Sequence, residues 1–360
     1  MPFKGKLSFV PTFALTAFLC GGVSAQEGNL AELTKAGQEA FLAGRYSDAE
    51  RLLNKALTQA ETDFLPEVQL ARILSDVCIT YLRQGRAEIA LTTCRRAVEI
   101  QKTEKLPAVY AASLNNLAEV YRFMGHSRDA EKLYRSALDI YQSRFGKQDL
   151  RATEVLGNLA LAYSDLGDNA HSEAALRECV ATLEKARPSA TRELSNALDQ
   201  LGTLLRIERR YGPALPLLER GLALRVQALG PEHPLVAESL NHLGTLWYGR
   251  GRPQKALPLF ERALSIDEKV FGGNSTRLCA SLVNLAGASR TQRQYARAEA
   301  LCQRAIGILQ QAPWKDPVTV KAVLEQYEPV LIKTRGRSEA AALLAKTRLT
   351  LFPKNPDPQN

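Results

Sequence analysis

The chain has no Cys-x-x-Cys pair, no His-Glu-x-x-His signature, no glycine-rich phosphate loop and no Gly-x-Ser-x-Gly elbow. Those absences remove the common sequence routes to redox, zinc, nucleotide and acyl-transfer chemistry. Histidine is scarce: His126, His171, His233 and His242 are the only four, and they are scattered. Beyond the first two dozen residues no apolar run approaches the roughly 18 residues that a membrane-crossing helix needs. No sustained heptad pattern supports a coiled coil. Basic residues outnumber acidic ones by 47 to 38, but the two signs are interspersed and the aromatics fall at apolar-face positions. A nucleic-acid surface would need a continuous basic stripe with stacking aromatics. The expectation is therefore a protein that is not an enzyme, needs no cofactor or metal and binds no nucleic acid.

What is present is a period. A turn signal of the form Gly-x-x-x-x-Ala occurs at Gly44, Gly85, Gly125, Gly167, Arg209, Gly251, Arg293 and Gly336, the small residue following at Ala49, Ala90, Ala130, Ser172, Ala214, Ala256, Ala298 and Ala341. Seven positions further on lie Ala56, Ala97, Ala137, Cys179, Gly221, Ala263 and Ala305. Twelve positions before the first small site lie Gly37, Cys78, Ala118, Ala160, Gly202, Gly244 and Ala286. Glycine inside a helix costs on the order of 1 kcal/mol relative to alanine, so three small sites per unit imply close helix approach.

Large apolar residues surround them at helical spacing. Leu74, Leu114, Leu156, Leu198, Leu240 and Leu282 precede the first-helix small site by four, and Tyr81, Tyr121, Tyr163, Leu205 and Trp247 follow it by three. Between the second helix's two small sites stand Leu53, Cys94, Tyr134, Leu176, Leu218, Phe260 and Cys302. Each unit thus reads as two antiparallel amphipathic helices joined by a turn whose glycine adopts the left-handed conformation. Arg209 and Arg293 at that glycine position must accept strain or reshape the turn. Pro216 and Pro258 fall within second helices and require either a kink or a late start.

The pattern Leu-x-x-Leu-Gly/Ala-x-x-Tyr, then Gly-x-Tyr-x-x-Ala, then Ala-Leu resembles the tetratricopeptide repeat. The segment Asn115 to Tyr121, the connector Leu229 to Pro234 and the period of about 42 residues are similar to the kinesin light chain subtype. The resemblance implies an all-α, right-handed superhelical solenoid of about eight helix pairs over residues 26–352. Glu325, Glu328, Pro329 and Arg348 make the last unit polar, as a terminal cap requires.

Residues 1–25 have the form of a secretory signal: a basic start, an apolar stretch from Leu7 to Cys20, and small residues Val23-Ser24-Ala25 before Gln26. The expectation is an exported protein, periplasmic or secreted, with no membrane span in its mature chain. Pro353 to Asn360 reads as a disordered tail. Of the remaining cysteines, Cys78 with Cys94, or Cys279 with Cys302, are candidate bridges in an oxidising compartment.

One polar group per unit stands two residues before the first-helix small site: Asp76, Asn116, Asn158, Gln200, His242 and Asn284. Asn115, Arg122, Arg206, Asn241 and Arg290 share that stripe. On the concave side that the resemblance implies, amides suit the backbone of an extended peptide, since each both donates and accepts. The arginines suit acidic groups. The expected function is a scaffold that holds a protein or peptide partner in this groove. The alternative is an assembly role in an envelope or secretion complex through the ends or convex face, and a structural role for the amides stays open.

Overall fold

The computed structural model describes residues 25–101, 106–186, 190–312 and 317–351; the signal expected over 1–25, Ala25 aside, and the tail expected over 353–360 lie outside them. The described residues form sixteen helices in eight pairs and no strand. One compact unit holds α1 (Ala25–Leu42), α2 (Tyr46–Thr62), α3 (Glu67–Arg83), α4 (Ala87–Ile100), α5 (Pro107–Phe123), α6 (Ser127–Phe145), α7 (Leu150–Asp165) and α8 (Asn169–Lys185). The other holds α9 (Thr191–Ile207), α10 (Tyr211–Leu229), α11 (Pro234–Gly249), α12 (Pro253–Phe271), α13 (Leu278–Thr291), α14 (Tyr295–Gln311), α15 (Pro317–Arg335) and α16 (Arg337–Leu351). Within each unit every helix packs on the next, and each first helix also touches the first helix of the following pair, as α3 touches α5 and α9 touches α11. Contacts confined to neighbouring repeats are those of an α-solenoid.

The turns have one geometry in seven pairs. Arg45 N–H donates to the Ala40 carbonyl and Gly44 N–H to the Phe41 carbonyl, both at 2.9 Å, and the same two bonds recur at Gly85, Gly125, Gly167, Arg209, Gly251 and Arg293. These are the two bonds of a Schellman turn, which needs a left-handed residue. Arg209 and Arg293 supply it at φ 62° and 59°, so they accept the strain and leave the turn unchanged.

The eighth turn corrects the sequence register by one residue. Gly336 is directly followed by α16, Ala340 N–H donates to the Gly336 carbonyl at 3.1 Å, and Ala340 rather than Ala341 is buried. The second small site of that pair is accordingly half-buried Thr347, not Arg348, which is exposed. The exposed residues of α16 mix Arg337, Glu339, Lys346 and Arg348 with Ala341, Ala342, Ala345 and Leu349.

The small sites are buried as expected, and what crowds them is chiefly a second-helix side chain. A Cβ on Gly37 would lie 2.7 Å from Leu53 Cγ, one on Gly202 would lie 2.7 Å from Leu218 Cγ, and one on Gly244 would collide with the Phe260 ring. In these three pairs the contact is small against large. In the second pair the same two positions hold Cys78 and Cys94, which form a disulfide at a Cα separation of 5.5 Å. Cys279 lies seven residues before its small site, Ala286, so it is out of register with Cys302, and both thiols are free and buried.

Pro216 and Pro258 are inside α10 and α12, each five residues after the helix begins, which removes the late start. The carbonyls they leave without an i→i−4 donor belong to exposed Gly212 and Gln254, where water can take the bond.

Candidate functional site

The inner seam is built where successive first helices meet. In the unit α1–α8, Gln38 Nε2 donates to Asp76 Oδ2 at 2.8 Å, and Asn158 Nδ2 donates to Asn115 Oδ1 at 3.0 Å. Arg83 Nη2 reaches Glu119 Oε1 at 2.8 Å, and Arg122 Nη1 reaches Asp165 Oδ2 at 3.0 Å. Asn115, Arg122 and Asn158 are buried. Asn116 is half-buried and has no hydrogen-bond partner among the described residues.

The unit α9–α16 repeats the seam and adds a charge cluster. Asn284 Nδ2 donates to Asn241 Oδ1 at 3.5 Å, the same offset as Asn158 to Asn115, and Asn241 Nδ2 donates to Ser281 Oγ at 2.8 Å. Arg225, on α10, is 4% exposed. Its Nη1 lies 2.7 Å from Asp199 Oδ2 and 2.8 Å from the Leu235 carbonyl, and its Nη2 donates to Asn196 Oδ1 at 2.8 Å. Ser239 Oγ completes the group by donating to Asp199 Oδ2 at 2.7 Å. Gly221 makes room for it: a Cβ there would lie 2.7 Å from Asp199 Oδ1. His242 Nδ1 is 3.7 Å from Asp199 Oδ2, beyond hydrogen-bond reach.

Protonation follows these surroundings. Burial, opposed by the Gln38 bond and Arg72, pushes the Asp76 carboxyl up to about 7. Burial likewise raises Asp267 to about 6 against the Ser281 bond. Burial also acts on Asp199, yet Arg225 with its other donors holds that carboxyl below the usual range. Burial lowers His233, and Arg192 and Arg225 lower it further. His233 Nδ1 caps α11 by accepting from Leu235 N–H at 3.1 Å, which requires an unprotonated Nδ1.

The eleven expected groove residues therefore divide. Asp76, Asn115, Arg122, Asn158, Asn241 and Asn284 spend side-chain bonds on neighbouring repeats. The side chains of Asn116, Gln200, His242, Arg206 and Arg290 form no hydrogen bond or close ion pair among the described residues, apart from the loose His242–Asp199 approach. Arg225, Ser239 and Asp267 were not anticipated. The signal was available: Arg225 and Asp267 each stand four residues after the second small site, so a charge occupies a core-facing helical row.

The outer, second-helix side is laced differently. Second-helix acids reach the following repeat: Glu50 pairs with Arg86, just before α4, at 2.7 Å, Glu61 with Arg96 on α4 at 2.6 Å, Glu299 with Arg335 at the end of α15 at 2.9 Å, and Glu268 with Arg304 on α14. Among the described residues no helix is long and apolar enough to cross a membrane.

The family model described as Tetratricopeptide repeat matches residues 69–143, 109–185, 193–269 and 246–311, more than half of the chain. Among solved structures, BtubC (BKLC) from P. vanneervenii is similar at 21% identity, covering 69% of this chain and 94% of that one, with a TM-score of 0.50. A tetratricopeptide repeat protein from Parabacteroides merdae is 16% identical over 83% of this chain and 99% of its own, with a TM-score of 0.52. Kinesin light chain TPR-like repeats from Podosopora anserina are 22% identical over 57% of this chain and 97% of theirs, with a TM-score of 0.48. No curated protein matches the chain.

Proposed function

We propose, for a chain that belongs to the tetratricopeptide repeat family, that it is an exported scaffold whose first helices hold a segment of a partner protein. The observation that carries this is the unequal use of polar groups. Along the first helices Arg83, Asn115, Arg122 and Asn158 bond between repeats, whereas Asn116, Gln200, Arg206 and Arg290 keep side-chain donors and acceptors that no described residue uses. Unspent polar groups beside a structural seam suit a polypeptide backbone.

Export is supported by the buried Cys78–Cys94 bridge, since such bonds persist in oxidising compartments. The mature chain then starts at Gln26, which intact-mass measurement of the exported protein checks; a chain still carrying Met1 contradicts it. The partner is tested by capture from the exported fraction with the triple variant Asn116→Ala, Gln200→Ala, His242→Ala. The expected result is partner lost with Tm unchanged. Partner retained at the wild-type level places binding elsewhere.

A further inference from the structure

Basic and acidic residues are interspersed along the sequence, but the repeat gathers one sign at one edge. In the unit α9–α16 the first helices touch in order, α9 on α11, α11 on α13 and α13 on α15, and each ends in the turn to its own second helix. The four turns at Arg209, Gly251, Arg293 and Gly336 therefore lie along one edge of the unit. From two residues before the left-handed position to four after it, these turns carry nine Lys or Arg and two acids, whereas the corresponding turns of α1–α8 carry four and five. Three of the nine are matched: Arg210 by Glu208 at 2.9 Å, Arg335 by Glu299 at 2.9 Å, and Arg297 by Glu261. The other six, Arg209, Arg250, Arg252, Lys255, Arg293 and Arg337, are exposed and have no acid within ion-pair reach among the described residues.

Two of the six are kept at a cost. Arg209 and Arg293 sit at φ 62° and 59°, where the other six turns have glycine, and neither guanidinium returns a contact to the fold among the described residues. Strain held at an exposed, unpaired cation points to a use outside the chain. The edge also lacks what a protein or a nucleic acid would need. Among the described residues of this unit the exposed large apolar side chains are Val270 and Leu349, neither of them at a turn, so a protein interface here would have no apolar centre. Trp247 has Arg250 and Lys255 over its ring, at 5.0 and 4.3 Å from the centroid, so cations already occupy the indole on which a base would stack. What the turns offer is diffuse positive charge, and a sheet of phosphate headgroups takes that without shape complementarity.

We infer that the turn edge of α9–α16 docks on the anionic phospholipid surface of a bilayer, its guanidiniums pairing with phosphate oxygens, and so holds the protein at a membrane without a spanning helix. None of the six residues belongs to the first-helix stripe, so this surface stands or falls apart from the partner site. The test sediments the full chain with vesicles of phosphatidylcholine alone and of phosphatidylcholine mixed in equal parts with phosphatidylglycerol. The protein binds the anionic vesicles at least about tenfold more tightly, and about 1 M sodium chloride, where the screening length is roughly 3 Å, abolishes the binding. Each Lys or Arg near an anionic surface is worth roughly fivefold in affinity, so the variant Arg209→Gly, Arg250→Gln, Arg252→Gln, Arg293→Gly loses at least about fiftyfold. Two of its changes supply the glycine that the other turns carry, and its Tm is unchanged or raised. A control that removes the same charge elsewhere in the unit, Arg220→Gln, Arg262→Gln, Lys346→Gln, Arg348→Gln, keeps the binding. Equal loss in the two variants assigns the binding to net charge and overturns the edge, as does no loss in the turn variant. Equal sedimentation with both kinds of vesicle overturns recognition by charge. Failure to sediment with the anionic vesicles overturns the bilayer as occupant, and retention on immobilised polyphosphate then makes the occupant a soluble polyanion.

Discussion

At Arg209 and Arg293 a side chain is held where glycine normally stands, and the left-handed conformation costs an L-residue about 1–2 kcal/mol. Part of that cost is offset because glycine gains more freedom in the unfolded chain. Arg209→Gly is expected to stabilise the protein by about 0.5–1 kcal/mol in urea denaturation; a loss would mean that the guanidinium makes a compensating contact. Gly244 is the opposite case, since any Cβ there meets Phe260. Gly244→Leu should destabilise by roughly 1–3 kcal/mol through overpacking, and an unchanged melt would contradict the small–large register.

Asp76 carries a pH dependence with a defined sign. Its carboxyl titrates near 7 in the fold against an ordinary 3.8, so from about pH 4 to 7 the native state holds a proton that the unfolded chain has released. Stability from this group is present at low pH and is lost as pH rises through 7. Asp76→Asn keeps an oxygen to accept from Gln38 and should flatten that part of the stability profile. An equal slope in D76N would assign the dependence to other groups.

Between elements, two devices replace ordinary apolar packing. The Arg225–Asp199 pair ties α10 to α9 and, through Ser239 and the Leu235 carbonyl, to α11. Removing one partner strands a buried charge, so Arg225→Met should cost about 3–5 kcal/mol. Adding Asp199→Leu should recover much of the loss; no recovery would show that the hydrogen bonds rather than the charges hold the junction. The Cys78–Cys94 bridge closes a separation of 16 residues between α3 and α4, for which chain entropy gives about 3 kcal/mol. Because Gly202 and Leu218 occupy the same two positions in another pair, Cys78→Gly with Cys94→Leu should fold under reducing conditions where the reduced wild type is weakened.

Helix pairs, turns and the small–large contact were readable from the sequence because each is a local pattern, repeated. The fate of the amides was not, since it depends on an offset of 43 residues that joins different registers: Asn158 meets Asn115 and Asn284 meets Asn241. A stripe traced at one fixed register shows its polar groups but not that half of them bond across it. The correct cysteine pair was decidable by register, as Ala286 rather than Cys279 is the counterpart of Cys78. The shortened turn at Gly336 was hidden because Ala340 and Ala341 are both small.

For the molecule as a whole, repetition supplies stability through neighbour contacts and leaves function to the residues that depart from the repeat. Arg206 without an acid, Asn116 without a bond and Gln200 beside the seam are such departures. A photo-crosslinking residue introduced at Gln200, compared with one at exposed Arg262 on α12, tests in producing cells where the partner is held. Covalent partner adducts from position 200 and none from position 262 are expected; adducts from position 262 alone would contradict a partner carried on the first helices.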